Sequence, residues 1–255
     1  MNWKKTRNSQ LEQLPLASFG EVIYAIGDIH GCFELLIDLL NRISTDFQES
    51  RKQYPLLTSL KIVFLGDYID RGPDSYKVIE FLSTFNPRGV EVVFLKGNHE
   101  QVLLDVLEDP TKIPDWLFYG GDATLQSYSL GLNFDLVDSS PLELHAALSE
   151  NIPLSHKNFL INLKAFYHSP PLFFAHAGVN PKRSLEKQNE KDLLWIRERF
   201  LNDKKKLSSV IVHGHTPQEE PSWDGRRIGL DTGAYYTNKL VSAKIYDNNV
   251  EYIST

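Results

Sequence analysis

The 255-residue sequence predicts an α/β fold in which two mixed β-sheets form a sandwich flanked by helices. Short apolar runs rich in β-branched and aromatic residues recur along the chain, and each stops at a Gly or a polar residue, as buried strands do. The first three runs alternate with helical patterns, which predicts parallel strands joined by crossover helices. The last three runs are separated by short turn-rich pieces such as residues 247–249, which predicts antiparallel strands.

Composition places the chain among ordinary globular proteins, at 42% hydrophobic and 24% charged residues. The net charge of -6 argues against a nucleic-acid partner held by general electrostatics. The single cysteine, Cys32, excludes an intramolecular disulfide. No run of about 18 apolar residues predicts a membrane span, and residues 1–20 lack the apolar core of a signal peptide. We therefore expect a cytoplasmic protein with a tail at residues 1–20 and one domain at residues 21–255.

The first half of the chain follows a strand, helix, strand rhythm. The apolar stripe of residues 32–43 predicts the first crossover helix, and the polar residues 44–59, with Pro55, predict a loop. Pro73 and Asp74 begin a second helix, and a short third helix is expected at residues 101–107. The eight predicted strands are at residues 22–26, 61–65, 90–95, 171–175, 210–212, 228–230, 240–246 and 250–253.

Residues 109–170 interrupt this rhythm with aromatic residues, prolines and helical patterns near 141–149 and 156–164. We predict a helical insertion over one side of the sheet. Two roles are open for it, namely substrate selection and plain packing of the sheet face.

Five of the predicted strands run directly into Asp, Asn or His. The motifs are GDIHG at 27–31, GDYIDRG at 66–72, GNHE at 97–100, HAG at 176–178 and GHT at 214–216. Open α/β sheets build their sites at the carboxyl ends of strands. Oxygen and imidazole ligands that converge on one edge of a sheet predict a divalent-metal centre.

In this order the five motifs closely resemble those of the calcineurin-like metallophosphoesterases, and specifically the bacterial phosphoprotein (serine/threonine) phosphatase branch. Residues 192–197 and 230–234 also resemble that branch, so the likeness spans residues 27–234. The resemblance implies a four-layer metallophosphoesterase fold and two divalent metal ions. Mn²⁺ is our first expectation, and Fe, Zn or Co remain alternatives because oxygen and nitrogen ligands do not separate them.

Six residues are the candidate metal ligands. Asp67 is expected to bridge the metals, because one anion must lie between two cations. Asp28 and His30 can both bind one of the two metals. The resemblance implies that Asn98, His176 and His215 complete the other. Taken singly, such an Asp is usually a turn residue and such a His a structural group, but the joint pattern favours ligation. His213 is the alternative to His215; the resemblance favours the His that follows the Gly.

Four further residues are candidates for the chemistry. His99 is the natural general acid for the leaving alkoxide, and Asp70 is expected to orient it and keep it protonated. Arg71 can donate two parallel hydrogen bonds to phosphoryl oxygens. Arg197 is a second candidate for this role, and Arg199 is the alternative to Arg197. Glu100 is expected to contact exposed amides at a helix start, and Cys32 to pack.

The predicted function is metal-dependent hydrolysis of phosphomonoesters, as in serine/threonine protein phosphatases, by a metal-bridging hydroxide that attacks phosphorus. The substrate is a phosphorylated protein or a small phosphoester. One alternative is hydrolysis of dinucleoside polyphosphates such as diadenosine tetraphosphate. Another is a non-catalytic binding module that kept the fold, which the complete set of motif residues argues against.

Overall fold

The computed structural model describes residues 15–132 and 140–255. Residues 1–14 of the predicted tail and 133–139 of the predicted insertion lie outside the described residues. The described strands form two mixed five-stranded sheets, as predicted. The first sheet has the order β10 (Asn249–Ser254), β9 (Val241–Tyr246), β1 (Glu21–Ile26), β2 (Ser59–Phe64), β3 (Val90–Phe94). The second has the order β4 (Phe166–Ser169), β5 (Leu172–Ala175), β6 (Val210–His213), β8 (Arg227–Gly229), β7 (Ser222–Trp223).

The strands are apolar throughout because both faces of each sheet are covered. In β1, Val22 and Tyr24 pack in the core beneath the helices, whereas Ile23 and Ala25 pack in the core between the two sheets. This alternation has the two-residue period of a strand. On its far side the second sheet packs Phe173 into a third core. The layers are therefore helices, sheet, sheet and helices.

The described helices surround this sandwich. They are α1 (Phe33–Gln53), α2 (Ser75–Thr84), α3 (Asn98–Glu108), α4 (Ile113–Trp116), α5 (Asp122–Leu132), α6 (Pro141–Asn151), α7 (Leu154–Ile161), α8 (Glu190–Trp195), α9 (Glu198–Leu201) and α10 (Ala234–Thr237). Short 3₁₀ turns lie at Pro110–Lys112 and Leu185–Lys187, and a π-helical turn at Leu117–Gly121 joins α4 to α5. Among the described residues no helix is long and apolar enough to cross a membrane.

Helices α8, α9 and α10 lie after residue 170, where no helix was predicted. Two predicted helices have other bounds than expected. α1 continues to Gln53, through residues predicted as a loop, because Phe47 continues its apolar face against the core. α3 begins at Asn98 instead of Gln101, so the polar motif forms the first turn of the helix. The motif side chains are consequently fixed by helical geometry.

Three strands also differ from the prediction. One of them, β7, corresponds to no predicted strand. β4 lies inside residues 109–170, which were predicted to be helical, and pairs antiparallel with β5. β8 was predicted to be antiparallel, but it runs parallel to β6 and is antiparallel only to the two-residue β7. β9 and β10 form the predicted antiparallel hairpin. β1 and β2, and β2 and β3, are the predicted parallel pairs.

Candidate active site

The five motifs meet between the two sheets. The sequence had instead suggested that they meet along the edge of one sheet. GDIHG, GDYIDRG and GNHE follow β1, β2 and β3 of the first sheet, whereas HAG and GHT follow β5 and β6 of the second. A hydrogen bond joins the two groups, because His215 N–H donates to Asp28 Oδ2 at 2.9 Å. Within the second group, Gly214 N–H donates to the carbonyl of His176. The candidate site therefore depends on the packing of both sheets.

Backbone strain is concentrated at this site. Seven non-glycine residues of the described chain have a positive φ, a conformation that costs about 1–3 kcal/mol for such residues. Two of them lie elsewhere: Asn238 caps the C-terminus of α10 and Asp247 lies in the turn between β9 and β10. The other five are candidate site residues, namely His30, Asp67, Asp70, Arg71 and His215. Strain confined in this way to polar side chains that face one space supports a functional role for them.

Asp67 lies at the centre of two groups of potential metal ligands. One group is Asp67 with His30 and His99, and the other is Asp67 with His176 and His215; within each group the ligand atoms lie within 4.8 Å of one another. Asp67 Oδ2 is 3.3 Å from His176 Nε2, 3.6 Å from His30 Nε2 and 4.0 Å from His99 Nε2. One carboxylate shared by two groups is the arrangement expected of a bridging ligand.

Two of these imidazoles are oriented by backbone carbonyls. His30 Nδ1–H donates to the carbonyl of Ile69 at 2.8 Å, and His176 Nδ1–H donates to that of Leu65 at 3.0 Å. In both residues the Nε2 atom is directed towards Asp67. Metal-ligating histidines commonly use their second nitrogen in this way, since the bond fixes the tautomer and the ring orientation.

Asn98, His176 and His215 also converge. His176 Nε2 is 2.9 Å from Asn98 Oδ1 and 3.1 Å from His215 Nδ1. In the described structure, His215 Nε2 and Asp28 Oδ1 are buried without a hydrogen-bond partner, and unpaired buried polar atoms are costly. Cations bound on the two sides of the centre would offer partners to such atoms. The residues present therefore fit a metal centre.

Two glycines make room for the carboxylates of this centre. A Cβ on Gly214 would lie 1.9 Å from Asp28 Oδ1, and one on Gly97 would lie 2.1 Å from Asp67 Oδ1. No other residue type could occupy these positions without displacing a candidate ligand. The glycines of GNHE and GHT are thus explained by their approach to a carboxylate of another motif.

The protonation states of these groups suit cation binding. Burial raises the pKa of Asp67, but the imidazoles of His176 and His99 outweigh it and hold that pKa well below its usual range. Burial lowers the pKa of His30 to about 3. Burial, helped by the charge of His176, lowers that of His215 to about 2. An ionised carboxylate and neutral imidazoles are the forms that bind metals.

Two other groups would release protons when a cation binds. Burial and the nearby Asp231 carboxylate raise the pKa of Asp28 well above its usual range. Burial lowers the pKa of His176, but Asp67 outweighs it and raises that pKa to about 9. Metal affinity should therefore fall as the pH is lowered, because protons compete for these atoms.

His99 and Asp70 form a buried pair at the edge of the centre. His99 Nδ1 is 2.7 Å from Asp70 Oδ2, so His99 Nε2 faces the space around Asp67. Burial lowers the pKa of His99, but the Asp67 and Asp70 carboxylates outweigh it and raise that pKa. The imidazole can therefore hold a proton on the side that faces the centre.

Sequence reasoning missed the partners of Asp70. Trp116 Nε1–H donates to both carboxylate oxygens, at 3.2 and 3.1 Å, and Thr124 Oγ1–H donates to Asp70 Oδ1 at 2.6 Å. These residues lie 46 and 54 positions away along the chain, so no local pattern links them to Asp70. The one available signal is the Gly120–Gly121 pair beside Trp116, which indicates close packing.

A cavity of about 190 Å³ opens beside His99. The candidate phosphate clamps Arg71 and Arg197 line it, together with Trp116, Tyr119 and Trp195. Arg199, the predicted rival of Arg197, is not among its lining residues. The Arg71 backbone is fixed by its N–H bond to the carbonyl of Gly120 at 2.9 Å.

The remaining predictions concern residues around the centre. Glu100 accepts the N–H group of Gly97 at the start of α3, as predicted. It also accepts those of Asp67, Tyr68 and Ile69 in the GDYIDRG motif, which was not predicted. His213 instead points its Nε2 at Arg227 Nη1, 3.2 Å away. Burial raises the pKa of the Cys32 thiol to about 11, consistent with packing.

Exposed aromatic rings surround the opening. Tyr119 and Trp195 line the cavity, and the Tyr235 ring lies against His30, with ring centres 5.4 Å apart. The Arg71 guanidinium lies over the Tyr235 ring at 5.1 Å. Trp195 is 46% exposed and Tyr119 62%, so flat apolar surfaces border the polar centre.

Comparison with known proteins agrees with this geometry. A family model described as calcineurin-like phosphoesterase matches residues 22–254. The asymmetrical bis(5'-nucleosyl)-tetraphosphatase PrpE of Oceanobacillus iheyensis is 27% identical over 253 residues, covering 90% of both proteins. Serine/threonine-protein phosphatase 1 of Salmonella typhimurium is 29% identical over 228 residues, covering 88% of this chain and 91% of that protein.

A solved structure described as a diadenosine tetraphosphatase has the same fold. It superposes with a TM-score of 0.61 at 23% identity, and the match covers 94% of this chain and 96% of the other. The similar proteins are therefore named for two different substrate classes.

Proposed function

This chain belongs to the calcineurin-like phosphoesterases, and from that membership we propose that it removes phosphate from phosphorylated serine and threonine side chains. It is a hydrolase of phosphate esters, and its family uses divalent metals. One observation carries the choice of substrate, namely the 2.7 Å contact that holds His99 against Asp70 beside the centre.

In this proposal six residues hold two metal ions. Asp67 belongs to both sites, with Asp28 and His30 on one side and Asn98, His176 and His215 on the other. The bound metals supply Lewis acidity, which activates water and offsets phosphoryl charge. Mn²⁺ remains our prediction for the metals and the cytoplasm our prediction for the location.

The side chains of the protein itself orient the ester and complete its cleavage. Arg71 and Arg197 hold the phosphoryl oxygens with charge-assisted hydrogen bonds. As the bond from phosphorus to the serine oxygen breaks, a proton passes from His99 Nε2 to that oxygen and the alcohol leaves. The attacking water supplies the fourth oxygen of the phosphate; one of its protons restores His99 and the other stays with the phosphate. Asp70 keeps the Nδ1–H bond throughout.

His99 is assigned as the acid although it belongs to one of the two ligand groups. Its Nε2 lies farthest from Asp67 of the three imidazoles, and its Nδ1 is held by a carboxylate instead of a backbone carbonyl. On the side of the centre where His99 lies, Asp28 and His30 already provide two ligands. This assignment leaves His99 free to contact the substrate.

A buried, oriented acid favours an alkoxide leaving group. A serine or threonine alkoxide is a strong base, and its departure gains about 10²- to 10⁴-fold from protonation. A nucleotide phosphate is a much weaker base, so its departure needs little help. The His99 acid would contribute least to the hydrolysis of dinucleoside polyphosphates. For this reason we place the phosphoprotein function first.

The proposal is tested by comparing two substrates. Mn²⁺-reconstituted enzyme is assayed for phosphate release from a phosphoserine peptide, and for nucleotide products from diadenosine tetraphosphate, in one buffer. We expect the higher kcat/KM for the peptide. A clear preference for the nucleotide would move the function to dinucleotide hydrolysis.

That second function is favoured by the aromatic rim. Tyr119, Trp195 and Tyr235 present rings around the centre, and bases stack on such rings with about 1–3 kcal/mol each. The relative PrpE is named as a bis(5'-nucleosyl)-tetraphosphatase. Comparing the two substrates therefore shows whether the His99 acid or the aromatic rings around the centre determine the substrate preference.

Arg197→Ala is expected to weaken phosphate binding. The guanidinium lines the cavity beside His99 but is itself exposed, so we expect inorganic phosphate to inhibit about 10-fold less strongly, the low end for a charge-assisted hydrogen bond. The inhibition constant of phosphate against aryl phosphate hydrolysis measures this. Arg199→Ala is the matched control and should leave inhibition unchanged; the reverse pattern would transfer the role to Arg199.

A further inference from the structure

Two side chains of the segment after α3 reach into the interior of the site. Trp116, at the end of α4, and Thr124, in the first turns of α5, are both 0% exposed. Both donate hydrogen bonds to Asp70. The proposed mechanism assigns neither residue a role.

Together with His99 these residues fix both carboxylate oxygens of Asp70. Oδ1 accepts from Thr124, whereas Oδ2 accepts from His99 Nδ1 at 2.7 Å and shares the Trp116 N–H. The carboxylate cannot turn about its Cβ–Cγ bond without breaking one of these bonds. Its plane, and hence the direction in which Oδ2 meets the imidazole, is set from α4 and α5.

Thr124 also fixes the backbone of Asp70. The Asp70 N–H donates to Thr124 Oγ1 at 2.8 Å and to Ser75 Oγ at 3.1 Å, and the two hydroxyl oxygens are 2.9 Å apart. Asp70 has a φ of 70°, which is unfavourable for a residue with a side chain. These bonds hold Asp70 in a conformation that it would otherwise leave.

The turn that joins α4 to α5 allows Trp116 and Thr124 to contact Asp70. A Cβ on Gly121 would lie 2.2–2.4 Å from three atoms of the Trp116 indole, so only glycine lets the ring lie there. Gly120 has a φ of 102°, and its carbonyl holds the Arg71 N–H. Trp116, Gly120, Gly121 and Thr124 thus form one unit that contacts the end of the GDYIDRG motif.

We propose that Trp116 and Thr124 are positioning residues for protonation of the leaving group. They hold Asp70 so that His99 Nε2 stays directed at the ester oxygen that receives its proton. The inference rests on the proposed role of His99 as the acid. It gives the segment after α3 a part in turnover, which differs from the two roles that the sequence left open, substrate selection or packing.

Thr124→Val tests the inference, because valine keeps the shape and removes the hydroxyl. We expect kcat for a phosphoserine peptide to fall about 10- to 100-fold, as for other residues that orient a functional group. The kcat for 4-nitrophenyl phosphate, whose leaving group needs little protonation, should stay close to the wild-type value. Metal content and inhibition by phosphate should not change, and Thr124→Ser should restore the peptide activity.

Ser127→Ala is the matched control. Ser127 lies on the same helix, is buried, and accepts the Tyr76 N–H through its hydroxyl, but it does not contact Asp70. It should show no difference between the two substrates. Trp116→Phe, which removes the Nε1–H donor together with part of the ring volume but keeps an aromatic side chain, gives a second measurement if the valine variant does not fold.

Three outcomes would overturn the inference. An equal loss on both substrates, or loss of metal, in the two variants would mean that the residues serve only the structure. A selective loss in His99→Asn without one in Thr124→Val or Trp116→Phe would overturn this inference alone. A His99→Asn protein with full activity on the peptide would overturn the acid role as well.

Discussion

Asp67→Asn is expected to lose both metals and nearly all phosphatase activity. Asp67 Oδ2 lies within 4.0 Å of three imidazole nitrogens, and its carboxylate is the only group shared by the two ligand groups found in the described chain. Asparagine has no negative charge to place between two cations. We expect turnover to fall by at least ~10³-fold, since metals contribute several kcal/mol and each 1.36 kcal/mol is tenfold in rate.

Phosphate release from 4-nitrophenyl phosphate at saturating Mn²⁺ measures this loss. Asp224→Asn is the control, because Asp224 is an exposed residue of a turn on the second sheet. It should keep wild-type turnover. Full activity in Asp67→Asn would remove the bridging role.

His99→Asn is expected to separate substrates by their leaving groups. Asparagine cannot donate a proton as imidazolium does, so we expect kcat for a phosphoserine peptide to fall about 10²- to 10⁴-fold. Turnover of 4-nitrophenyl phosphate should fall much less, because nitrophenolate leaves without protonation. The metals should stay bound, because His99 is not one of the six proposed ligands.

His168→Asn is the matched control for this variant. His168 lies on β4, where its Nε2 contacts Ser209 Oγ at 3.3 Å, and it is absent from both ligand groups. It should retain turnover of both substrates. If His99→Asn loses a metal, the residue belongs to the centre as a ligand and not as the acid.

The sequence was sufficient to predict the layers and the residues that converge. Buried strands read as continuous apolar runs, and the polar residue after each run marks the point where the strand ends. The family resemblance then grouped Asp28, Asp67 and Asn98 into one centre. Their roles as ligands remain predictions, supported by the distances around Asp67.

Other features depend on contacts between distant segments. The arrangement of the motifs between two sheets was missed, because an apolar strand gives no sign of which sheet it joins. The contacts of Trp116 and Thr124 with Asp70 were missed for a similar reason, since 46 and 54 residues separate the partners. The length of α1 was underestimated because Phe47 alone continues its apolar face among polar residues.

Metal content per chain is the most direct test of the central claim that two metals share Asp67. Wild-type protein and Asp67→Asn are loaded with Mn²⁺, freed of excess metal and analysed side by side by elemental analysis. We expect two equivalents per wild-type chain and less than one in the variant. A single equivalent in the wild type, or two equivalents retained by Asp67→Asn, would contradict the shared centre.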